Sequence, residues 1–235
     1  MKRFLKYVVL SVSLGLVPTC AELPEYARPH MVQSDELQMK PPTGFAYRPL
    51  TREDFRATSL SGQQAEHAER INAYTATLIR LSADSSFRIT SGDLYGQRYF
   101  FGRIERLGFE AVMLPDRSWW SPRIPANMGD YVLQHEQIHF ALTELAARQL
   151  TIDIQKWASE VLVMEPTPQE VQAELSKQIK DRINAAMQVN LKRQAEFDED
   201  TSLFFNPKWQ RWWALTVEEE LRRTHRERKD HEKDR

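Results

Sequence analysis

LQHEQIHFALTELAARQL, the stretch from Leu133 to Leu150, places an HExxH motif among apolar residues at helical spacing. On a helix, residues four apart lie one above the other, so His135 and His139 can offer two imidazole nitrogens to one ion. Glu136 projects about 100° around the axis, beside them. A zinc ion held in this way activates a water molecule, and a neighbouring carboxylate can take the proton. The motif predicts His135 and His139 as metal ligands and Glu136 as the catalytic base.

The same motif has a plainer interpretation, in which both histidines are core residues and no metal binds. Leu142 and Ala146 continue the face that carries the histidines, so this face should be partly buried. A partly buried histidine pair needs partners, and one metal ion serves both rings. Chelators distinguish the two interpretations, because only a metal site loses stability when it is stripped.

A third ligand must come from outside this helix. Leu142 and Leu145 stand where the extended motif of one group of zinc proteases has glycine and histidine, so that group is excluded. Glu144 lies about half a turn round the helix from His135, on the wrong side. We expect Glu144 to lie behind the ligands or at the surface.

A second long helix is predicted from about Gln169 to Glu199 and offers a better ligand. Its apolar stripe continues into polar residues on the same face: Val171, Leu175, Ile179, Ile183, Met187, Asn190, Gln194 and Asp198. Polar groups at buried positions need partners, and a metal ion with its surroundings would supply them. Alternatively, this end of the helix emerges into solvent. Asp198 lies on the stripe, whereas its acidic neighbours point away, so Asp198 is the predicted third ligand.

Short strands are predicted before the HExxH helix. Residues Ala73 to Leu81 alternate with β-branched residues on one set of positions, which favours a strand. RYFFGRI (98–104) and GFEAVML (108–114) are short apolar runs bounded by glycine and proline, and PDRSWWSPRIP after them is typical of a loop. The first half of the chain is therefore predicted to be mainly β.

Helical spacing begins after Asn127 or Asp130, either of which can cap a helix, and continues through Leu150 and as far as Met164. Pro166 and the proline after it then break the chain before the second long helix. Strands come first and helices afterwards, so the predicted class is α+β.

The N-terminus predicts export. Basic residues in the first six positions precede the apolar run YVVLSVSLGLV and the small residues of PTCAEL, so residues 1–21 are predicted to be a signal peptide. Cleavage before Cys20 would instead leave a lipid anchor on that cysteine. No other segment approaches the roughly 18–20 apolar residues of a membrane span. The mature chain is expected in the periplasm or outside the cell, free or lipid-anchored.

The rest of the chain divides by composition. Residues 22–46 are proline-rich and are predicted to be an extended lead-in segment, residues 47–213 the folded domain, and residues 214–235 a charged tail. Within this tail, Glu218 to Arg235 shows mixed charge without an apolar stripe and is predicted to be a solvated helix that frays. The formal net charge is −1 and basic residues are interleaved with acidic ones, so nucleic acid is not an expected partner.

Several blocks resemble one bacterial family of secreted, predicted zinc-dependent proteases, long filed as a domain of unknown function with an HEQxHF motif. The matching segments follow the same order: PLTREDFRA (49–57), AYTATLI (73–79), DRSWW (116–120), HEQIHF with TEL (135–145) and FDEDT (197–201). The resemblance covers about Tyr47 to Trp213.

This resemblance implies a zincin-like domain, in which a mixed or antiparallel sheet precedes the metal helix and a later helix closes the site. It carries over His135, Glu136 and His139 directly, and it places Asp198, Asp200 and Thr201 on the family's tyrosine-aspartate-x-glutamate-threonine block. The sequence differs from the family pattern at one place, where Leu203 and Phe204 stand in positions at which the family continues to histidine and glycine.

The leading prediction is an exported zinc metallohydrolase, most simply a peptidase, which binds Zn²⁺ through His135, His139 and Asp198 and acts on a peptide or protein of the cell envelope. The alternative is an inactive protein of the same fold that works as an envelope binding or assembly factor. The departure at Leu203 and the aromatic segment FFNPKWQRWW favour this alternative.

Overall fold

The computed structural model of the chain describes residues 23–29, 43–202 and 205–233. The predicted signal peptide, Cys20, Leu203 and Phe204 lie outside these ranges. In the described ranges, no helix has the length and apolar character needed to cross a membrane.

Antiparallel strands dominate the first half of the chain and long helices the second, which confirms the α+β prediction. The described strands are β1 (Phe45–Ala46), β2 (Ala73–Tyr74), β3 (Thr77–Leu81), β4 (Ser86–Leu94), β5 (Gln97–Arg106), β6 (Phe109–Met113), β7 (Trp119–Trp120) and β8 (Val163–Glu165). The described α-helices are α1 (Gly129–Asp153), α2 (Gln155–Glu160), α3 (Pro168–Thr201) and α4 (Pro207–Lys233). A six-residue 3₁₀ helix spans Gly62–His67.

The strands form three small sheets with the orders β1-β6-β3, β2-β7 and β4-β5-β8. All of these pairings are antiparallel. Strand β6 lies in the middle of the first sheet, with α1 packed across it. The β4–β5 hairpin is long, and β4 is exposed along most of its length.

The predicted strand from Ala73 to Leu81 is two strands that separate at Thr75 and Ala76. Strand β2 pairs with β7, and β3 pairs with β6. At the break, the Ala76 N–H donates to the Ser118 hydroxyl at 2.9 Å and the Ala76 carbonyl accepts from the Leu114 N–H at 2.9 Å. The polar backbone is therefore satisfied while the strand changes its partner.

The expectation that helical structure extends to Met164 is wrong. Helix α1 ends at Asp153, the short α2 follows, and residues Val163–Glu165 form β8 against β5. Val163 is 5 % exposed and packs with Val171 and Leu175 of α3. Tertiary pairing with a distant strand overrides the local helical pattern here.

Helix α1 is buried on two sides. Phe140 packs with Ala111 and Met113 of the first sheet. On the opposite side, Ile138 and Leu142 pack with residues of α3 and α4. The helix begins at Gly129 without a side-chain cap, between the two predicted capping residues. This two-sided burial fixes the direction in which the histidine face of α1 points.

Helix α4 crosses the predicted boundary at residue 214 without interruption. Trp213 and Val217 are buried against α1, and Leu221 is partly buried beside them. Thr224 is 3 % exposed. The buried side of the helix therefore continues through Leu221 to Thr224, and the expectation that the chain is solvated from Glu218 onward needs correction.

The described parts of the lead-in segment are packed on the domain. Leu23 is 4 % exposed, and Tyr26 stacks on His67 with ring centroids 4.1 Å apart. Phe45–Ala46 forms β1 and pairs with β6. These residues contribute to the fold even though the sequence shows no periodicity there.

Candidate metal centre

Three side chains from two helices converge at one point. His135 and His139 lie one turn apart on α1, and Asp198 faces them from α3. Asp198 Oδ1 is 3.0 Å from His135 Nε2 and 3.0 Å from His139 Nε2, and the two Nε2 atoms are 3.1 Å apart. The structure therefore brings together the three ligands predicted from the sequence, and such a cluster could hold a metal ion.

Hydrogen bonds alone do not satisfy this triangle of atoms. If both Nε2 atoms carry protons, the two N–H groups compete for the same oxygen, Asp198 Oδ1, while the nitrogens lie only 3.1 Å apart. If only one does, the other ring turns a lone pair towards the Asp198 carboxylate. A cation at the centre serves all three atoms at once. Tetrahedral bonds of about 2.0–2.1 Å would separate the ligand atoms by about 3.3–3.4 Å, so small movements would accommodate zinc.

The electrostatics of the cluster favour a charged pair in the absence of an ion. Burial by itself would lower the pKa of His139, but the Asp198 carboxylate, with help from Glu136 and Gln194, raises that pKa to about 9. Burial would raise the pKa of Asp198, but the two histidines hold it well below its usual range. A metal ion that binds here must therefore displace a proton from His139.

Helix α3 also orients both imidazole rings. The Gln194 carbonyl oxygen lies 3.1 Å from His139 Nδ1, one turn before Asp198. Thr201 Oγ1, three residues after Asp198, is 3.5 Å from His135 Nδ1 and donates to the Phe197 carbonyl at 2.6 Å. With Nδ1 of each ring facing an acceptor on α3, the Nε2 atoms face the cluster.

Phe197 forms the apolar floor of the site. Its ring is fully buried, stacks on His135 at 4.4 Å and meets the edge of His139 at 5.0 Å. Trp213 of α4 supports Phe197 from behind, and its indole N–H donates to Asp200 at 2.8 Å. Asp200 therefore ties α3 to α4 and is not at the metal centre.

Glu136 lies beside the three ligands and is 4 % exposed. Its Oε2 accepts a 2.6 Å hydrogen bond from the Thr75 hydroxyl, at the break between β2 and β3. Its Oε1 forms no hydrogen bond with the described residues, and the side chain lines a cavity. The sequence did not reveal Thr75, because the contact joins residues 61 positions apart.

Glu144, predicted to lie behind the ligands or at the surface, is buried on the sheet side of α1. It accepts from the Ala111 N–H at 3.3 Å and from Arg148 Nε at 2.7 Å. Glu144 thus satisfies the backbone of β6 and is not a ligand.

Asn190 and Gln194 are buried, so the alternative in which this end of α3 emerges into solvent does not hold. Asn190 is 3 % and Gln194 7 % exposed, and both amide nitrogens donate to the buried Thr143 hydroxyl at 3.2 Å. Thr77 of β3 reaches the same hydroxyl at 2.8 Å. A polar network therefore connects the strand, α1 and α3 behind the metal centre.

A cavity of about 270 Å³ opens from the metal centre. Its lining includes residues 70–75 and, from the lead-in segment, Leu23 with residues 27–29. Strand β6 is the central strand of its sheet, so both of its edges are already paired, with β1 and β3. The tryptophans of β7 do not line this cavity, and Trp119 is a core residue.

Comparisons of the chain with protein-family models, with curated proteins and with solved structures gave no match. The resemblance to the family of predicted zinc-dependent proteases stays a prediction.

Proposed function

We propose that this chain is an exported zinc-dependent hydrolase that cleaves peptide bonds in the cell envelope. The observation that carries the proposal is the position of Glu136: a buried carboxylate lies next to three convergent ligands, with one oxygen anchored by Thr75 and the other available to the cavity. A site that only stored a metal would have no need of this second carboxylate, which is not one of the three ligands.

The ligand set suits a catalytic zinc ion. Two imidazole nitrogens and one carboxylate oxygen are typical of such sites, which keep a further position open. The same donors occur in non-haem iron oxygenases. Glu136 favours hydrolysis, because a base beside the ligands is required to activate water and has no defined part in oxygen activation.

Bound zinc would polarise the scissile carbonyl and lower the pKa of a water molecule. Glu136 Oε1 would take one proton as the water oxygen bonds to the carbonyl carbon. The C–N bond then breaks, and Glu136 delivers that proton to the leaving nitrogen. His135, His139 and Asp198 hold the ion throughout.

The primary test combines metal content with one substitution. Elemental mass spectrometry of the purified mature domain should find about one zinc per chain, and His139→Ala should lose it. Glu136→Gln should keep the zinc but lower peptide hydrolysis by a factor of about 10²–10⁴, the usual contribution of a general base. Iron in place of zinc, or unchanged hydrolysis in Glu136→Gln, would refute the proposal.

A second function has support from the surface of α4. Trp209 and Trp212 are 44 % and 49 % exposed, and Phe205 just before the helix is 63 % exposed. Exposed aromatic residues are enriched at protein–protein contacts. An envelope binding factor would retain its cellular role in Glu136→Gln and lose it when both tryptophans are replaced by serine.

A further inference from the structure

The buried amide of Gln194 links the metal centre to the polar network behind it. Its Oε1 lies 3.1 Å from His139 Nδ1, and its Nε2 donates to the Thr143 hydroxyl at 3.2 Å. Gln194 is 7 % exposed and Thr143 is fully buried, so solvent has little access to either contact. Both ends of this amide therefore depend on protein partners.

Thr143 determines which way the amide points. Its one hydroxyl proton has two acceptors in reach, the Thr77 hydroxyl at 2.8 Å and the His139 carbonyl at 3.2 Å, and with Thr77 as the acceptor both lone pairs stay free. The lone pairs of the hydroxyl are then available to the amide nitrogens of Gln194 and Asn190. The Gln194 NH₂ is directed at Thr143, and its carbonyl oxygen is directed at His139.

A carbonyl oxygen can only accept a hydrogen bond, so His139 Nδ1 must carry a proton. In the neutral ring the lone pair is then on Nε2, the atom that faces Asp198 and His135. We propose that Gln194 is a positioning residue that selects the metal-binding tautomer of His139 and fixes the orientation of its ring. The inference rests on the zinc centre of the proposed function.

Asn190 provides a matched control on the same helix. It lies one turn before Gln194, is 3 % exposed, and donates to the same Thr143 hydroxyl at 3.2 Å. Its hydrogen bonds do not include either histidine. Replacing Asn190 therefore removes a comparable buried amide from the network without touching the ring of His139.

The test is the zinc affinity of the full mature chain, measured by competition with a chromophoric chelator. Gln194→Met should raise the Kd for zinc by about 10–100-fold, the usual cost of losing a group that orients a metal ligand. Asn190→Leu should leave the Kd within about threefold of wild type. Gln194→Glu restores an acceptor opposite Nδ1 and should bring the affinity back towards the wild-type value.

A second readout does not require any variant to fold. In the zinc-loaded wild type, long-range ¹H–¹⁵N spectra should show the His139 proton on Nδ1 and the metal on Nε2. A proton on Nε2, or equal losses of affinity in Gln194→Met and Asn190→Leu, would overturn the role of Gln194. Failure of the wild type to bind zinc would instead refute the zinc centre itself, so the two failures are distinguishable.

Discussion

The charged pair between His139 and Asp198 should make the metal-free protein lose stability as the pH rises above neutrality, and Asp198→Asn should abolish that loss. The two side chains are 12 % and 10 % exposed, with His139 Nε2 and Asp198 Oδ1 3.0 Å apart. Solvent therefore screens this pair much less than it would screen a surface ion pair. Asparagine keeps the shape of the side chain and removes its charge.

The magnitude follows from the pKa of His139. Burial opposes protonation, but the Asp198 carboxylate leads the groups that raise this pKa from 6.5 to about 9. A raised pKa in the folded state stabilises the protein fully below pH 6.5, and the contribution disappears as the pH rises through about 9. The difference between the pKa of His139 in the folded state, about 9, and its ordinary value of 6.5 corresponds to about 3 kcal/mol of folding stability, at about 1.36 kcal/mol per pKa unit. This figure is a net value, because burial, the largest influence, lowers the pKa of His139 while Asp198, Glu136 and Gln194 raise it.

The assay is urea unfolding in the presence of a chelator at pH 6 and pH 10. We expect the wild type to exceed Asp198→Asn by about 3 kcal/mol at pH 6 and by much less at pH 10. Asp200→Asn is the matched control, since Asp200 lies on the same helix but bonds to Trp213 and not to a histidine. Parallel pH profiles for wild type and Asp198→Asn would show that the pair does not hold a proton and would refute the reasoning.

Three other predictions concern the base, the metal and the last helix. Thr75→Val removes the 2.6 Å hydrogen bond to Glu136 and should lower kcat by about 10–150-fold at unchanged zinc affinity, which corresponds to about 1.5–3 kcal/mol for a hydrogen bond to a charged group. Thr75→Ser keeps the hydroxyl and should retain the wild-type rate, so an equal effect of both substitutions would contradict this prediction. Stripping zinc with a chelator should lower the thermal midpoint of the wild type but leave that of His139→Ala unchanged, as calorimetry would show. Trp213→Ala should lower the free energy of unfolding by about 3–5 kcal/mol, because Trp213 is buried against α1. Trp212→Ala, on the exposed side of the same helix, should lower it by less than about 1 kcal/mol, and equal losses in urea unfolding would contradict the packing of α4.

The parts of the site that follow one helix could be predicted from the sequence. His135 and His139 are four residues apart, so their convergence needs only helical geometry. Asp198 was found because the apolar stripe of α3 continues to it, and the register of that stripe is set by burial of Val171 and Leu175. In both cases the helical period of 3.6 residues is enough to predict which side chains share a face.

Contacts between distant elements could not be predicted in the same way. Thr75 meets Glu136 only because the strand breaks beside α1, and the β8 strand exists only because β5 offers it a partner. The stripe of α4 was missed for a different reason: its buried positions include Thr224, and charged residues outnumber apolar ones along the helix. Burial of Trp213 and Val217 against α1 is a tertiary fact that composition does not reveal.

The departure at Leu203 concerns catalysis more than metal binding. His135, His139 and Asp198 already supply three convergent ligand atoms, which is the number that catalytic zinc sites take from the protein. A histidine from position 203 is therefore not needed to hold the ion. In the family that this sequence resembles, the corresponding histidine is therefore predicted to serve catalysis and not metal binding. The present chain should consequently bind zinc tightly whatever its rate of hydrolysis, so zinc affinity and turnover have to be measured separately before either is used to judge the other.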